Sequence, residues 1–139
     1  MKFLVTFFFL LFSLSSTPPT ANLTVVIKNI DKLEGQIHMG LYDNAESYLK
    51  TGEEYRVAVF KVTDSEVSYT FKDVPLGVYA ISVYHDANED NECNRNWIGL
   101  PTEGYGFSND IRPSFSAPKF EDAKFTLAND MSISITMVY

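Results

Sequence analysis

From residue 23 onward the chain alternates apolar and polar positions with a period of two. Leu23, Val25 and Ile27 alternate with Thr24 and Lys28, and Ile37, Met39 and Leu41 with Gln36, His38 and Tyr42. Successive side chains of a strand leave on opposite faces, so this spacing predicts strands with one buried face. The pattern returns over residues 55–62 and over 66–72, where Val67, Tyr69 and Phe71 share a face. It returns again where Tyr79, Ile81 and Val83 alternate with Ala80, Ser82 and Tyr84, and over Phe120 to Leu127. The last segment sets Met131, Ile133, Ile135, Met137 and Tyr139 against Ser132, Ser134 and Thr136. The segment Asp31-Lys32-Leu33-Glu34-Gly35 reads as a turn, and Asn44 to Lys50 as the one helix, two turns at most.

Seven short strands without repeats or linkers predict an all-β domain. The expected architecture is a single antiparallel sandwich of immunoglobulin-like or transthyretin-like type. Residues 86–116 carry no periodicity, and so long a connection in a compact domain is uncommon and usually functional. Trp97, Tyr105 and Phe107 beside Gly99, Gly104 and Gly106 give it more apolar content than a disordered segment has.

The beginning of the chain changes the picture of where this domain works. Met1-Lys2 precedes an apolar run from Phe3 to Leu14, with Ser13, Ser15 and Ser16 marking a polar exit. That is the pattern of a secretory signal peptide, and it is shorter than the about 20 residues of a spanning helix. The expected division is a signal peptide over residues 1–21 and a β-sandwich over 22–139, with cleavage after Ser15, Ser16 or Ala21. The mature chain is expected to be periplasmic or extracellular, with no membrane span after signal removal. Removing the segment takes away Lys2 and no acid, so the formal charge of −7 becomes −8 (−7 minus 1). Such acidity argues against nucleic-acid and anionic-membrane partners, which would repel it. Cys93 is the only cysteine, so no internal disulfide exists. It reads as a half-buried small residue, with pairing between chains as the alternative.

Within the long loop, Asp86, Asn88 and Asp90 fall at i, i+2, i+4, the spacing of the first side-chain ligands of a calcium loop. Calcium takes six to eight oxygens, and a tight loop turns alternate side chains inward. Asn91 stands where such loops turn with positive φ, which Asn tolerates well. Glu92, through its carbonyl, and Asn94 would follow as ligands. The position of the usual bidentate Glu is Trp97, so Glu103 or Asp110 would have to serve instead. The competing reading is a solvated acidic turn, for which Asp and Asn are ordinary residues. Trp97, Tyr105 and Phe107 form a candidate platform for sugars or a partner peptide, or else fold back to plug the sandwich edge.

Two groups of residues carry a resemblance. Val74-Pro75-Leu76-Gly77-Val78-Tyr79-Ala80-Ile81 is similar to the turn and strand of transthyretin-like sandwiches. His85-Asp86-Ala87-Asn88-Glu89-Asp90-Asn91, then Gly99-Leu100-Pro101-Thr102-Glu103-Gly104-Tyr105-Gly106-Phe107-Ser108-Asn109, with Pro113-Ser114-Phe115, Phe120-Glu121-Asp122-Ala123 and Tyr139, resembles the bacterial family called domain of unknown function 2141. The resemblance covers nearly all of residues 22–139. It implies an exported β-sandwich and brings no established activity. Within the acidic run the chain departs from the family pattern, which favours Gly at Asn91, an apolar residue at Cys93 and Asp at Asn94.

Catalytic motifs are lacking: there is no nucleophile elbow, metalloprotease helix motif or phosphate loop. His85 has the parity of Tyr79, Ile81 and Val83 and should point inward, while Asp86 points the other way and His38 lies on the outer face. A zinc site from His38, His85 and Cys93 lacks any recognisable spacing. The expectation is a non-enzymatic exported module for binding or envelope structure, with a protein or glycan partner and calcium as the one cofactor in view. The alternatives are a small-ligand or glycan binder using the aromatic loop, and a hydrolase using Glu103 or Asp86.

Overall fold

The structure, a computed structural model, describes residues 16–96 and 101–139. The whole apolar run Phe3–Leu14 lies outside the described residues, as do Trp97 and Gly99 of the long loop. Eight strands follow in order: β1 (Thr20–Lys28), β2 (Gln36–Tyr42), β3 (Arg56–Lys61), β4 (Val67–Pro75), β5 (Gly77–Asp86), β6 (Tyr105–Phe107), β7 (Phe125–Leu127) and β8 (Met131–Thr136). One sheet runs β4-β1-β8 and the other β3-β2-β5-β6, with β7 paired to β5 beside β6. The all-β sandwich expected from the alternation is therefore present, with one strand more than expected.

The alternation works as the period-two argument requires. Leu23, Val25, Ile27, Ile37, Leu41, Ile81 and Ile135 are fully buried between the sheets, with Met39, Val83 and Met137 nearly so. The sheets are joined along both sides. On one, the Phe60 and Tyr69 rings stack 5.6 Å apart and Arg56 donates to the carbonyls of Lys72 and Asp73. On the other, residues past β8 pair with β6 through reciprocal Tyr105–Val138 bonds of 2.9 and 2.8 Å. Tyr79 donates its hydroxyl to the Pro75 carbonyl at 2.8 Å, tying the start of β5 to the turn before it.

Four expectations need correction. The sandwich is not wholly antiparallel, because β1 and β8 run parallel over Leu23–Lys28 and Met131–Thr136. Asn44–Lys50 forms turns rather than a helix: Asn44 Oδ1 caps the Ser47 N–H at 2.9 Å, and Leu49 adopts φ 63. Residues 120–127 are not one strand but a single helical turn, α1 (Phe120–Ala123), followed by β7. Phe120 and Ala123, three residues apart, bury the same side of that turn, which strand alternation cannot do. The irregular stretch 86–116 is interrupted by β6 and by a short 3-10 turn at Ser108–Asp110.

The outer face of the β3-β2-β5-β6 sheet matters most for function. Half of it is covered by a second small core in which Tyr42, Tyr48, Ala80, Phe120 and Ala123 meet. The Tyr48 ring stands edge-on to both Tyr42 and Phe120, at 5.3 and 5.8 Å. Ser108, fully buried, pins this cap: it accepts the Ile81 N–H at 2.9 Å and donates to the Ala123 carbonyl at 2.6 Å. The other half of the face is left as an open groove.

Candidate functional site

The site begins at the end of β5, where Asp86 pairs with Gln36 of β2. Gly35 makes this junction possible. It adopts φ 68, and a Cβ there would stand 2.2 Å from the Asp86 carbonyl oxygen, so only glycine lets the turn before β2 back onto β5. Asp86 is fully buried. Its Oδ1 accepts the Asp90 N–H at 3.1 Å, and its Oδ2 accepts the Asn91 N–H at 2.8 Å and the Gln36 amide at 3.3 Å. A buried carboxylate needs such donors, and here they come from the backbone it has to fold.

The turn that Asp86 gathers contains the predicted ligands. Asp90 Oδ2 accepts from the side-chain amides of Asn88 and Asn94, both at 2.9 Å, and its Oδ1 from the Glu92 N–H at 2.9 Å. The Asn94 amide, the Glu92 N–H and the Asn88 amide, in that order of effect, hold the Asp90 carboxyl below its ordinary value. Asn91 turns with φ 64 as expected, and Glu89 with φ 58 as well. Glu103 closes the turn from across the loop, taking the Ala87 N–H at 3.2 Å and the Asn94 N–H at 3.1 Å. Of the two acids expected to complete the set, only Glu103 is here; Asp110, in the 3-10 turn, accepts the Thr136 N–H of β8 at 2.7 Å.

Asp86, Asn88, Asp90, Glu92, Asn94 and Glu103 are thus brought into one turn. The side-chain oxygens of Asp86, Asn88, Asp90, Asn94 and Glu103 are engaged by N–H donors, and among the described residues no three His, Cys, Asp or Glu side chains converge as a metal cluster. A cation would have to displace the amide donors on Asp90 and recruit the Asn88 and Asn94 oxygens in their place.

Two residues of the aromatic block, Tyr105 and Phe107, lie on β6 at the end of the β3-β2-β5-β6 sheet. Tyr105 and Phe107 pair with Tyr84 and Ser82 of β5 and so share their outer face, whereas Gly106 faces the core. A Cβ at Gly106 would stand 2.6 Å from the Ile135 methyl, so the core admits no side chain there. Phe107 is nonetheless only 8% exposed, because it sits beside the cap over the outer face. Trp97 lies outside the described residues.

Tyr105 and Phe107 form one wall of a groove of about 1200 Å³ over the outer face of the sheet. His38, Gly40, Ser82 and Tyr84 make its floor, Glu54 and Glu92 reach its rim, and Phe115 at its edge is 97% exposed. His38 is on the expected face but is not wet: its ring stacks on Tyr84 at 4.7 Å, and its side chain is 14% exposed. Its Nε2 is buried 3.4 Å from Asp86 Oδ2, close enough for charge contact yet without a hydrogen bond. Tyr84's hydroxyl is pushed up to about 12 by burial first and then by Asp86, Cys93, Glu103 and Asp90. Cys93 is half-buried beside the groove, its thiol pushed up mainly by burial.

His85 plays a structural part. It is buried between a carbonyl and a hydroxyl, with Nε2 2.8 Å from the Glu34 oxygen and Nδ1 2.8 Å from the Tyr139 hydroxyl. A carbonyl only accepts, so Nε2 carries the proton, and in the neutral ring Tyr139 donates to Nδ1.

The sequence reading missed Glu54, Tyr84 and His38 as groove residues. A signal was present: Tyr42 and Tyr84, with His38, occupy the positions of their strands assigned to solvent, where aromatics are out of place on a wet face.

The family model described as "Uncharacterized protein conserved in bacteria (DUF2141)" matches residues 25–135. No curated protein and no solved structure matches the chain.

Proposed function

The chain belongs to the bacterial family of domain of unknown function 2141, and we propose that it is an exported, non-enzymatic module that holds a small ligand or a glycan in the groove beside β6. One observation carries this reading: half of the outer sheet face is roofed by its own small core, while the other half is left as a concave, aromatic-lined surface. Binding sites are commonly concave and mostly apolar, with a few placed polar groups, and their volumes run from ~300 to ~1,000 Å³. At about 1200 Å³ the groove lies above that range, which suits an extended ligand. Tyr105 and Phe107, the residues of the aromatic loop, supply its wall.

The test is a screen of the protein against immobilised glycans and a small-molecule library, with binders followed by amide chemical shifts. Shifts should concentrate at His38, Tyr84 and Tyr105. Binders that perturb β4 and β1 instead would remove the groove from consideration.

A second reading concerns the acidic turn: calcium would stabilise it, and with it one end of the groove. The gathering of the oxygen-bearing side chains of Asn88, Asp90 and Asn94 within hydrogen-bond reach of one another supports this, provided the two amides turn their oxygens inward. With a Kd of about 10⁻⁴ M and about 10 mM calcium, mass action adds roughly 2.7 kcal/mol. The melting temperature should rise by several degrees and fall back with chelator, and Asp90→Ala should abolish the response. A melting temperature indifferent to both would leave an acidic turn and nothing more.

A further inference from the structure

The groove carries an electrostatic bias that narrows what it accepts. Among its lining residues, Glu54 and Glu92 bring two carboxylates against the single guanidinium of Arg95. Asp86 lies directly beneath, 3.4 Å from the His38 ring, with Asp90 and Glu103 in the adjoining turn. The hydroxyls inside the groove feel this field. Besides burial, Tyr84 is acted on by Asp86, Glu103 and Asp90, and Tyr42 by Glu54, and each of these carboxylates disfavours further negative charge. Arg95 acts in the opposite sense on the Cys93 thiol at the same groove. The whole chain, at −7, adds to the same sign.

Aromatic rings compound the bias, because their faces are negative and attract cations, most strongly where water is excluded. Tyr84, Tyr105, Phe107 and Phe115 all border the groove. A neutral ligand would use these rings and gain nothing from the carboxylates; an anion would be repelled by them. We propose that the groove takes an organic cation bearing an ammonium group, an inference that rests on the groove being the ligand site.

Choline and the uncharged alcohol in which a carbon replaces its nitrogen have the same shape and differ in charge alone. Titrated into the exported protein, with amide shifts recorded, choline should bind roughly tenfold more tightly than the isostere, as a partly desolvated cation among rings does. Its affinity should fall with added salt. The double variant Glu54→Gln with Glu92→Gln should weaken choline by roughly fivefold and leave the isostere unchanged. Glu54 also accepts the Gly52 N–H at 2.8 Å, so Glu92→Gln alone serves as the control that keeps the turn intact. Equal binding of the two probes, or binding of a neutral oligosaccharide at the groove amides without binding of choline, would overturn the charge assignment while the groove remains a ligand site. If no probe moves the groove amides at millimolar concentration, both the cation assignment and the groove reading fall.

Discussion

Single positions in this protein are decided by what stands behind them. Phe107 is an aromatic in a glycine-flanked loop segment, which sequence logic reads as either a plug or a platform. The structure makes it neither in full: it is 8% exposed, on the outer face, at the border between the cap and the groove. Phe107→Ala should therefore cost about 3 kcal/mol in denaturant unfolding, the low end for buried aromatics, because one side of the cavity opens to the groove and can take up water. A loss under about 0.5 kcal/mol, as for a surface site, would mean that the ring is not packed. Gly35 is the reverse case, a residue whose value is the lack of a side chain. With φ 68 and the Asp86 carbonyl 2.2 Å from any Cβ, Gly35→Ala should cost more than the ~1 kcal/mol of an ordinary glycine replacement at positive φ. It should also displace the acidic turn, seen as altered amide shifts at Asp90 and Asn91, which Asp86 holds through their N–H groups.

At the scale of elements, β1 bears on where export processing would fall. It begins at Thr20, pairs Ala21 with Val74, and buries Ala21 to 5% exposure; just before it, the Pro19 carbonyl accepts the Leu76 N–H at 3.0 Å. Cleavage after Ala21 would cut two residues from a central strand, whereas cleavage after Ser15 or Ser16 leaves it whole. Mass spectrometry of the exported protein should find Ser16 or Thr17 at the N-terminus; Asn22 there would sink this argument. The elements that sequence patterning misplaced are all short. β6 has three residues, one of them glycine, so no alternation can develop. In α1 a single turn places Phe120 and Ala123 on one side, and Phe125 and Leu127 then resume as strand, so the apolar residues of the two elements run together in the sequence. A period needs several repeats to be told from chance, and neither element supplies them.

For the molecule as a whole, the tyrosines set the response to alkali. Tyr42, Tyr48, Tyr79 and Tyr139 are raised above the ordinary 10.0, chiefly by burial, and Tyr84 is pushed up to about 12. The folded state then keeps protons that the unfolded chain has lost. The stability these groups contribute is intact below pH 10.0 and is lost as pH rises through their folded values, near 12 for Tyr84. Alkaline titration should show tyrosinate absorbance and loss of β-structure rising together past pH 10.0; complete tyrosine ionisation with the circular dichroism unchanged would refute this. The sequence by itself determined the sandwich and most of its strands, because period-two alternation states locally which side of a strand is buried. It also determined the positive φ at Asn91 and the inward His85, both local consequences of position within a turn or strand. Only the tertiary structure decided that Glu103 and not Asp110 joins the acidic turn, since two acids seven residues apart look equivalent until β6 and β8 separate them. It alone decided that the face carrying His38, Tyr42 and Tyr84 is half roofed and half groove. That division depends on residues 43–50 and 120–123 meeting over a sheet that residues 105–107 extend, and contacts so distant in sequence leave no local period to read.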